Sequence, residues 1–452
     1  MKIVIVGCGK IGSTILESLT AEGHDIVAID IDPQVLSSIT TVNDVMGVCG
    51  NGADCDILNE ASIEQAELLV ASTNSDELNM LICFLAKRMG AAHTIARIRN
   101  PEYNDRNLAF MRQQLDLSLA INPDLLAAQE IFNVLKLPSA VKIETFSNRH
   151  LEIIELKLKE NSELDGMKLM EMREKYHAKF LVCIVQRADQ VYIPDGTFEL
   201  KSGDKIGLTA SPVEIQKLLK TLKLSQKQAR NVMILGGGRT SYYLAHLLTG
   251  HGHNVKIIEK DPLICKELCE SLPKSVIINA DGAQQEVLME EGLHSQDALV
   301  ALTGMDEENI LLAISAAAQN VPKVIAKVNR DELTPLAEKL GVDCVVSPKK
   351  TVSDILVRYA RALQNSLGSN VETLYKLMDG KAEALEFNVR ANSAVTDKPL
   401  KELKLKPNTL IAGIIRDRKT IIPSGIDCIL QGDRVIVLSA NHRLQDLSDI
   451  LK

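Results

Sequence analysis

The sequence predicts an α/β protein with two Rossmann-like, doubly wound parallel-sheet domains, each followed by a small α+β regulatory module. Three observations support this fold class: the chain is internally duplicated, short apolar strands alternate with helical segments, and the pattern changes after about residue 140 and again after about residue 380. Alternating strands and helices are typical of a parallel sheet with covering helices, whereas strands that alternate inward and outward residues are typical of antiparallel sheets.

The duplication is visible when the two halves are aligned at an offset of 229 to 231 positions. The segment KIVIVGCGKIG, which starts at Lys2, aligns with NVMILGGGRTS, which starts at Asn231. Further matches are LLVASTNSDELNMLICFLAKRMG with ALVALTGMDEENILLAISAAAQN, TIARIRNPE with VIAKVNRDE, and IPDGTFELKSGDKIGLTAS with IPSGIDCILQGDRVIVLSA. The repeat is far longer than that of a solenoid, whose period is about 20 to 50 residues, so whole domains have been duplicated.

The elements of the first half follow from its apolar runs. Six strands are predicted, at residues 2–6, 25–30, 45–49, 67–72, 93–98 and 117–121. Helices are predicted to start near Gly9, Pro33, Asp54, Asp76, Asn104 and Pro123. Strands that are apolar almost throughout are buried on both faces, which predicts a doubly wound parallel sheet.

The small modules have a different pattern of apolar and polar residues. Their strands alternate inward and outward residues around one helix, and Asp195-Gly196 and Ser202-Gly203-Asp204 are typical of tight turns. We therefore predict Rossmann-like domains at 1–138 and 229–365, and α+β modules at 139–224 and 366–452.

Composition excludes several classes of protein. Apolar residues make up 46% of the chain, which argues against disorder, and the net charge of −8 argues against a nucleic-acid partner. No apolar run approaches the roughly 20 residues that a membrane span requires, and no export signal is visible. The nine cysteines are scattered without a C-x-x-C pair, so we expect reduced thiols, no metal site and a cytoplasmic location.

The strongest motif is a G-x-G-x-x-G loop between the first strand and the first helix. Its residues are Gly7, Cys8, Gly9, Lys10, Ile11 and Gly12. Such a loop lets a pyrophosphate approach the backbone at a helix N-terminus. Asp30 ends the next strand, where a carboxylate accepts ribose hydroxyls and repels a 2′-phosphate, which favours NAD or an adenosine nucleotide over NADP. The alternative is a glycine turn that has lost its ligand.

Other strand ends point to the same crevice. Asn51 follows the third strand and could present backbone to an adenine, while Thr73 and Asn74 follow the fourth strand, near the phosphates. Arg97, on the fifth strand, could bind a phosphate oxygen. The alternative for Arg97 is an ion pair with a local acid such as Asp76.

The second half departs from this pattern. Its loop residues are Gly236, Gly237, Gly238, Arg239 and Thr240, and Ser241 stands where the third glycine belongs. Glu259 replaces the aspartate, and Lys327 provides a point charge in place of the arginine fork. Ligand binding here is a prediction, and a degenerate second site is the alternative.

Catalytic motifs are missing from the sequence: it contains no nucleophile elbow, no H-E-x-x-H and no P-loop. His24, His251 and His253 fall in helix-to-strand turns, where solvated side chains are expected. Two functions remain open: a ligand-responsive regulator that is not an enzyme, and a soluble NAD-dependent oxidoreductase. The duplication favours the regulator, because an enzyme has no need of a second, altered site.

These motifs resemble the RCK (KTN) domain family, whose members regulate potassium conductance. The resemblance rests on the G-x-G-x-x-G loop with its acid, on STNSDELN at 72–79 and ARIRNPEY at 96–103, and on the duplicated order of modules. It implies a cytoplasmic regulatory subunit of a Trk-type potassium uptake system, peripheral on the inner face of the membrane. NAD(H) and ATP or ADP would be its ligands, a potassium-translocating membrane subunit its partner, and a homo-oligomer, a tetramer, its assembly. The implied ligand contacts are Gly7 to Ile11, Asp30, Thr73, Asn74 and Arg97, with Gly236 to Thr240, Glu259, Thr303 and Lys327 in the second half.

Overall fold

A computed structural model describes residues 1–452 except 104, 138, 148–149, 159–161, 178, 223–227, 366–370, 391–392 and 441–443. The chain forms two compact units. Residues 1–132 and 230–360 form the first unit, and residues 133–229 and 361–452 form the second. Within the described residues, no helix is both long enough and apolar enough to cross a membrane.

The first Rossmann-like domain of the first unit is a six-stranded parallel sheet in the order β3-β2-β1-β4-β5-β6. Its strands are β1 (Lys2–Val6), β2 (Asp25–Asp30), β3 (Met46–Cys49), β4 (Leu68–Ala71), β5 (His93–Arg97) and β6 (Leu119–Ile121). Its helices are α1 (Lys10–Ala21), α2 (Pro33–Val42), α3 (Cys55–Glu60), α4 (Asp76–Arg88), α5 (Asp105–Gln114) and α6 (Pro123–Lys136).

The predicted doubly wound sheet is confirmed. All four residues of β4 are buried, as the apolar run predicts for a central strand covered on both faces. The strand order reverses between β1 and β4, and ligands of this fold bind at that reversal, beyond the carboxyl ends of the strands. The predicted helix start at Asn104 lies outside the described residues.

The second Rossmann-like domain repeats this topology, in the order β14-β13-β12-β15-β16-β17. Its strands are β12 (Asn231–Leu235), β13 (Asn254–Glu259), β14 (Val276–Asn279), β15 (Ala298–Ala301), β16 (Lys323–Lys327) and β17 (Cys344–Val346). Its helices are α9 (Arg239–Gly250), α10 (Pro262–Ser271), α11 (Gln285–Glu290), α12 (Asp306–Ala318), α13 (Thr334–Lys339) and α14 (Pro348–Asn365). The duplication in sequence is therefore a duplication of topology.

The last helix of each Rossmann-like domain packs on the other domain. Val352 and Leu356 of α14 belong to the apolar core of the first domain, together with Ile3 and Ile5 of β1. Phe132 of α6 contacts the second domain, where its ring lies 4.7 Å from that of His251. Each domain thus receives a covering helix from the other half of the chain.

The histidine turns differ from expectation. His24 is only 7% exposed and His253 only 6%, so the expectation of solvated side chains is wrong for both. The reason for His253 is tertiary, because Phe132 of the other half covers that turn, with a distance of 6.2 Å between ring centroids.

The second unit contains two small antiparallel sheets, in the orders β10-β9-β11-β8-β7 and β18-β19-β22-β20-β21. The first module comprises β7 (Lys142–Phe146), β8 (Leu151–Lys157), α7 (Leu169–Tyr176), β9 (Phe180–Arg187), β10 (Gln190–Tyr192), β11 (Lys205–Ala210) and α8 (Pro212–Thr221). The second module comprises β18 (Val371–Leu377), β19 (Ala382–Asn388), β20 (Thr409–Arg416), β21 (Lys419–Ile421) and β22 (Arg434–Ser439).

The two small sheets share one apolar core, which joins Ile153 and Ile184 of the first module to Ala384 and Ile436 of the second. Two buried carboxylates connect the modules reciprocally. Glu155 accepts a hydrogen bond from the backbone N–H of Met378 at 2.9 Å. Glu386, its counterpart in the repeat, accepts one from the hydroxyl of Ser147. The modules therefore pair as pseudo-equivalent copies.

Candidate functional site

The first glycine loop begins with a left-handed turn that a side chain would obstruct. Gly7 has φ = +85°, and a Cβ at this residue would lie 2.7 Å from the backbone nitrogen of Thr73. A Cβ at Gly12 would overlap the carbonyl oxygen of Gly7. These two glycines allow α1 to start directly beneath the loop, as the motif predicts.

The N-terminus of α1, which follows this turn, is not obstructed by neighbouring atoms of the described residues. A Cβ at Gly9 would meet no atom within 4 Å, and no side chain among the described residues caps the first turn of α1. Unpaired N–H groups at a helix start, together with the positive end of the helix dipole, attract phosphate. Lys10 is exposed at the first position of α1 and adds a cation at the rim. Ile11 follows it and is half-buried.

Cys8 contributes to the loop through its backbone and not through its thiol. The side chain is 2% exposed, and burial, with the negative charge of Asp30 as a smaller cause, raises the pKa of the thiol to about 12. A thiol in this state is a small apolar group at neutral pH.

Asp30 is held at the end of β2 by two backbone donors. One carboxylate oxygen accepts the N–H of Cys8 at 2.7 Å, and the other accepts the N–H of Asp32 at 2.9 Å. The half-buried carboxylate therefore lies beside the loop, and each oxygen retains acceptor capacity for a ribose hydroxyl. Asn51 belongs to the neighbouring turn, where the backbone N–H of Gly50 donates to the carbonyl of Asp30 at 2.9 Å.

The loop after β4 is held in place by a fully buried asparagine, Asn79, which is not among the predicted site residues. Asn79 accepts hydrogen bonds from the backbone N–H and the hydroxyl of Thr73, at 2.8 and 2.7 Å. Its amide donates to the carbonyl of Arg97 at 2.9 Å. The side chain thus joins the ends of β4 and β5. Its repetition as Asn309 in the aligned halves was the signal that could have identified it.

Arg97 presents an incompletely satisfied guanidinium to this edge of the sheet. One terminal nitrogen donates to the carbonyl of Ser72 at 3.2 Å, while the buried Nε has no hydrogen-bond partner among the described residues. Burial, with Arg99 as a smaller cause, lowers the pKa of Arg97 to about 10, so the group remains charged at neutral pH. A buried donor without a partner is costly unless something accepts from it.

Among the described residues, Asp76 pairs with Arg99 and not with Arg97, its predicted alternative partner. One oxygen of Asp76 accepts the backbone N–H groups of Arg99 and Asn100, at 2.7 and 2.8 Å. The other oxygen lies 3.6 Å from Nε of Arg99. Arg99 also donates to the carbonyl of Asn74 at 2.7 Å, which leaves the exposed Asn74 side chain at the rim.

The second glycine loop has the same backbone form with a more buried acid. Gly236 has φ = +95°, and the N–H of Gly237 donates to Glu259 at 2.5 Å. The second oxygen of Glu259 accepts the N–H of Asp261 at 2.8 Å, and the residue is only 9% exposed. A Cβ at Gly238 would meet open space, as at the corresponding Gly9.

Lys327 and Thr303 lie at the matching strand ends of the second half. Asn309 accepts the N–H of Thr303 at 2.8 Å and donates to the carbonyl of Lys327 at 2.9 Å. The ammonium of Lys327 donates to the carbonyl of Leu302 at 3.2 Å, and burial lowers its pKa. The second half therefore repeats the asparagine contacts of the first, with a lysine ammonium in place of the arginine guanidinium.

A segment of the first half lies against the second loop. The hydroxyl of Thr240, on the first turn of α9, donates to Asp124 at 2.8 Å. Asn122 donates to the hydroxyl of Tyr243 at 2.9 Å, and that hydroxyl donates to the carbonyl of Arg99 at 2.8 Å. Sequence reasoning missed these contacts because their partners are more than 100 positions apart.

The residues present fit an adenosine nucleotide. The open helix start at Gly9, the carboxylate of Asp30 and the unpaired Nε of Arg97 lie along one edge of one sheet. They would provide, in order, phosphate donors, a ribose acceptor and a cation.

The paired Rossmann-like domains and antiparallel modules define a duplicated α/β protein with two candidate nucleotide sites. Both halves match the TrkA-N domain, over residues 3–123 and 232–348, and the TrkA-C domain, over residues 153–223 and 384–452. The chain therefore belongs to the TrkA family.

Full-length relatives support this assignment. The chain is 32% identical to Trk system potassium uptake protein TrkA homolog 1 of Methanosarcina mazei over 461 residues, covering all of both chains. It is 30% identical to the TrkA homolog of Archaeoglobus fulgidus, again over all of both chains. It is 29% identical to TrkA of Vibrio alginolyticus, covering 98% of this chain and 96% of the relative.

Solved structures share the fold. The GsuK RCK domain superposes with a TM-score of 0.64 at 17% identity, covering 97% of this chain and 92% of the other. The GsuK channel bound to NAD gives a TM-score of 0.63 at 16% identity, covering 97% of this chain and 77% of the other.

Proposed function

We propose that this chain is a nucleotide-binding regulatory subunit that gates a Trk-type potassium uptake system. Its ligands would be NAD(H) and ATP or ADP, bound at the two Rossmann-like domains. The chain would act without catalysis, at the inner face of the cell membrane, as a tetramer bound to a potassium-translocating subunit. Relatives named for Trk potassium uptake and a structural neighbour bound to NAD support this proposal.

The observation that carries the proposal is the first glycine loop with its fixed acid. The open start of α1 and the doubly anchored carboxylate of Asp30 are preorganised, so little reordering is needed when a ligand binds. Burial of Arg97 leaves Nε without a partner, and a phosphate oxygen would satisfy it.

Binding can regulate only if it distinguishes two arrangements of the protein. A single charged hydrogen bond that forms in only one arrangement is worth about 1.5–3 kcal/mol, which corresponds to roughly a ten- to hundredfold preference. Thr73 and Arg97 are suited to transmit this difference, because Asn79 connects both strand ends and a shift at one moves the other.

Calorimetry of the full chain with NAD, NADH, ATP and ADP tests the ligand class. Asp30→Ala should weaken binding at the first half by about 1.5–3 kcal/mol, because a charged ribose acceptor is lost. The matched control is Asp25→Ala, which removes an exposed acid at the other end of the same strand. Equal affinities of wild type and Asp30→Ala for all four nucleotides would refute this site.

Potassium uptake tests the regulatory role. Cells that lack the chain should lose nucleotide-dependent uptake while retaining the membrane subunit, and cells with Asp30→Ala should respond weakly to nucleotide. Turnover of NAD by the purified chain with alcohols, hydroxy acids or amino acids would instead favour an oxidoreductase. Light scattering should show a tetramer, and a monomer at micromolar concentration would contradict the assembly.

A further inference from the structure

A tyrosine on the helix of the second glycine loop is bonded to a strand end of the first site. Tyr243 lies in the second turn of α9, just beyond the open helix start at Gly238. Its hydroxyl donates to the backbone carbonyl of Arg99 at 2.8 Å and accepts the side-chain amide of Asn122 at 2.9 Å. Burial raises the pKa of Tyr243 to about 12, so the hydroxyl keeps its proton and remains a donor at neutral pH.

Arg99 connects this hydroxyl to the loop that follows β4. Its guanidinium donates to the carbonyl of Asn74 at 2.7 Å, and its backbone N–H donates to Asp76 at 2.7 Å. Arg97, the candidate phosphate cation, ends β5 only two positions earlier. A displacement of the Arg99 carbonyl therefore acts on that cation and on the neighbouring loop, because both are joined to the same short segment.

Among the described residues, the other half lacks the reciprocal link. Thr14 corresponds to Tyr243 in the repeat, and its hydroxyl donates to the carbonyl of Lys10 in its own helix at 3.1 Å. Ser347 corresponds to Asn122, and its buried hydroxyl has no hydrogen-bond partner among the described residues. The first loop therefore forms without a bond of this kind, so the bond at the second loop is not a requirement of the topology.

We infer that Tyr243 is a positioning residue that couples ligand binding at the second glycine loop to the geometry of the first site. The inference rests on the proposed function, since it assumes that nucleotides bind at both loops. A phosphate at the start of α9 acts on the helix that carries Tyr243, and the hydroxyl transmits a shift of that helix to Arg99. By linkage the effect is reciprocal, so a ligand in the first site changes the affinity of the second by the same factor.

Calorimetry of the full chain with ADP measures this coupling. Gly9→Asp and Gly238→Asp each place a carboxylate at one open helix start, where it caps the helix and repels phosphate, so each variant retains one site. The product of the two ADP association constants of the wild-type chain, divided by the product of the constants of the two single-site variants, is the coupling factor. This factor should differ from one by roughly five- to tenfold.

Tyr243→Phe should bring the coupling factor close to one, because the ring remains and only the hydroxyl link is lost. The single-site variants used for this comparison carry the same tyrosine change, so a merely structural role that weakens each site uniformly cancels from the factor. Tyr242→Phe is the matched control and should keep the wild-type factor, since Tyr242 lies on the same helix but stacks on His246 and is not part of this hydrogen-bond chain.

The possible results separate the inference from the proposed function. A wild-type factor of one, or the same factor in wild type and in Tyr243→Phe, would overturn the inference and leave nucleotide binding intact. Binding of a single ADP per chain would overturn the inference as well and leave one site in place. Failure of the wild-type chain to bind NAD, NADH, ATP or ADP would overturn both the inference and the proposed function.

Discussion

The two Rossmann-like domains share one topology but fill the glycine loop differently. In the first half Gly12 leaves room for the hydroxyl of Ser72, which donates to the carbonyl of Gly7 at 2.7 Å. In the second half Ser241 occupies the glycine position and Leu302 stands where Ser72 would be. The hydroxyl has moved to the helix side of the loop, and a larger apolar residue follows the strand in its place. The comparison predicts that the residue allowed at the third glycine position depends on its neighbour across the loop.

The acids beside the two glycine loops differ in how deeply they are buried. Asp30 is half-buried and Glu259 is buried, although both accept the same two backbone donors. The longer side chain of Glu259 lies closer to the loop, where a Cβ at Gly237 would come within 2.9 Å of it. A ribose would therefore find a more accessible acceptor in the first half than in the second.

The largest expected effect concerns α14, the helix that the second half contributes to the core of the first domain. Leu356→Ala should destabilise the first domain by about 2–5 kcal/mol, because a fully buried leucine of α14 is removed from a core that the second half completes. Urea unfolding followed by circular dichroism measures the shift. Leu263→Ala, at a position that is 72% exposed, is the matched control and should shift the transition little.

This dependence also predicts that neither half is stable alone. A fragment that ends before α14 would expose the face of Ile3 and Ile5 that Leu356 covers. A first-half fragment that unfolds at the same urea concentration as the full chain would contradict the reciprocal packing.

The two loop positions that differ between the halves provide a more selective test. Gly12→Ser should destabilise by about 1–3 kcal/mol, because its Cβ would overlap the carbonyl of Gly7 and approach Ser72 Oγ within 2.8 Å. Adding Ser72→Leu imitates the second half and should recover part of that loss. Thermal denaturation of the single and double variants gives the coupling between the two positions. Independent, additive effects would show that the two positions do not constrain each other.

The cations give the smallest expected difference, visible as a pH dependence. Burial lowers the pKa of Lys327, so the charged form is present below that pKa and is lost as the pH rises through it. In an Asp30→Ala background, the ADP affinity of the second site should fall a few-fold as the pH rises from neutral through the lowered pKa of Lys327. Lys327→Arg should move this decline to higher pH, because a guanidinium holds its proton more strongly. A decline at the same pH in both variants would show that another group titrates.

The sequence alone was sufficient for the architecture and for placing a glycine loop and an acid at neighbouring strand ends in each half. Apolar runs and turn residues define strands that the structure reproduces to within one or two residues, because these signals are local in the chain. The glycine loops and the acids that follow them were predicted for the same reason: a tight turn and the next strand lie within about 25 positions.

Tertiary structure alone decided which groups meet from opposite halves. Asp124 contacts Thr240, and Phe132 buries His253, across more than 100 positions that no local pattern spans. The burial that leaves Arg97 Nε unpaired and lowers the pKa of Lys327 likewise depends on how neighbouring elements pack. Periodicity reports which face of an element is apolar, but the identity of the opposing surface is set only when distant segments pack together.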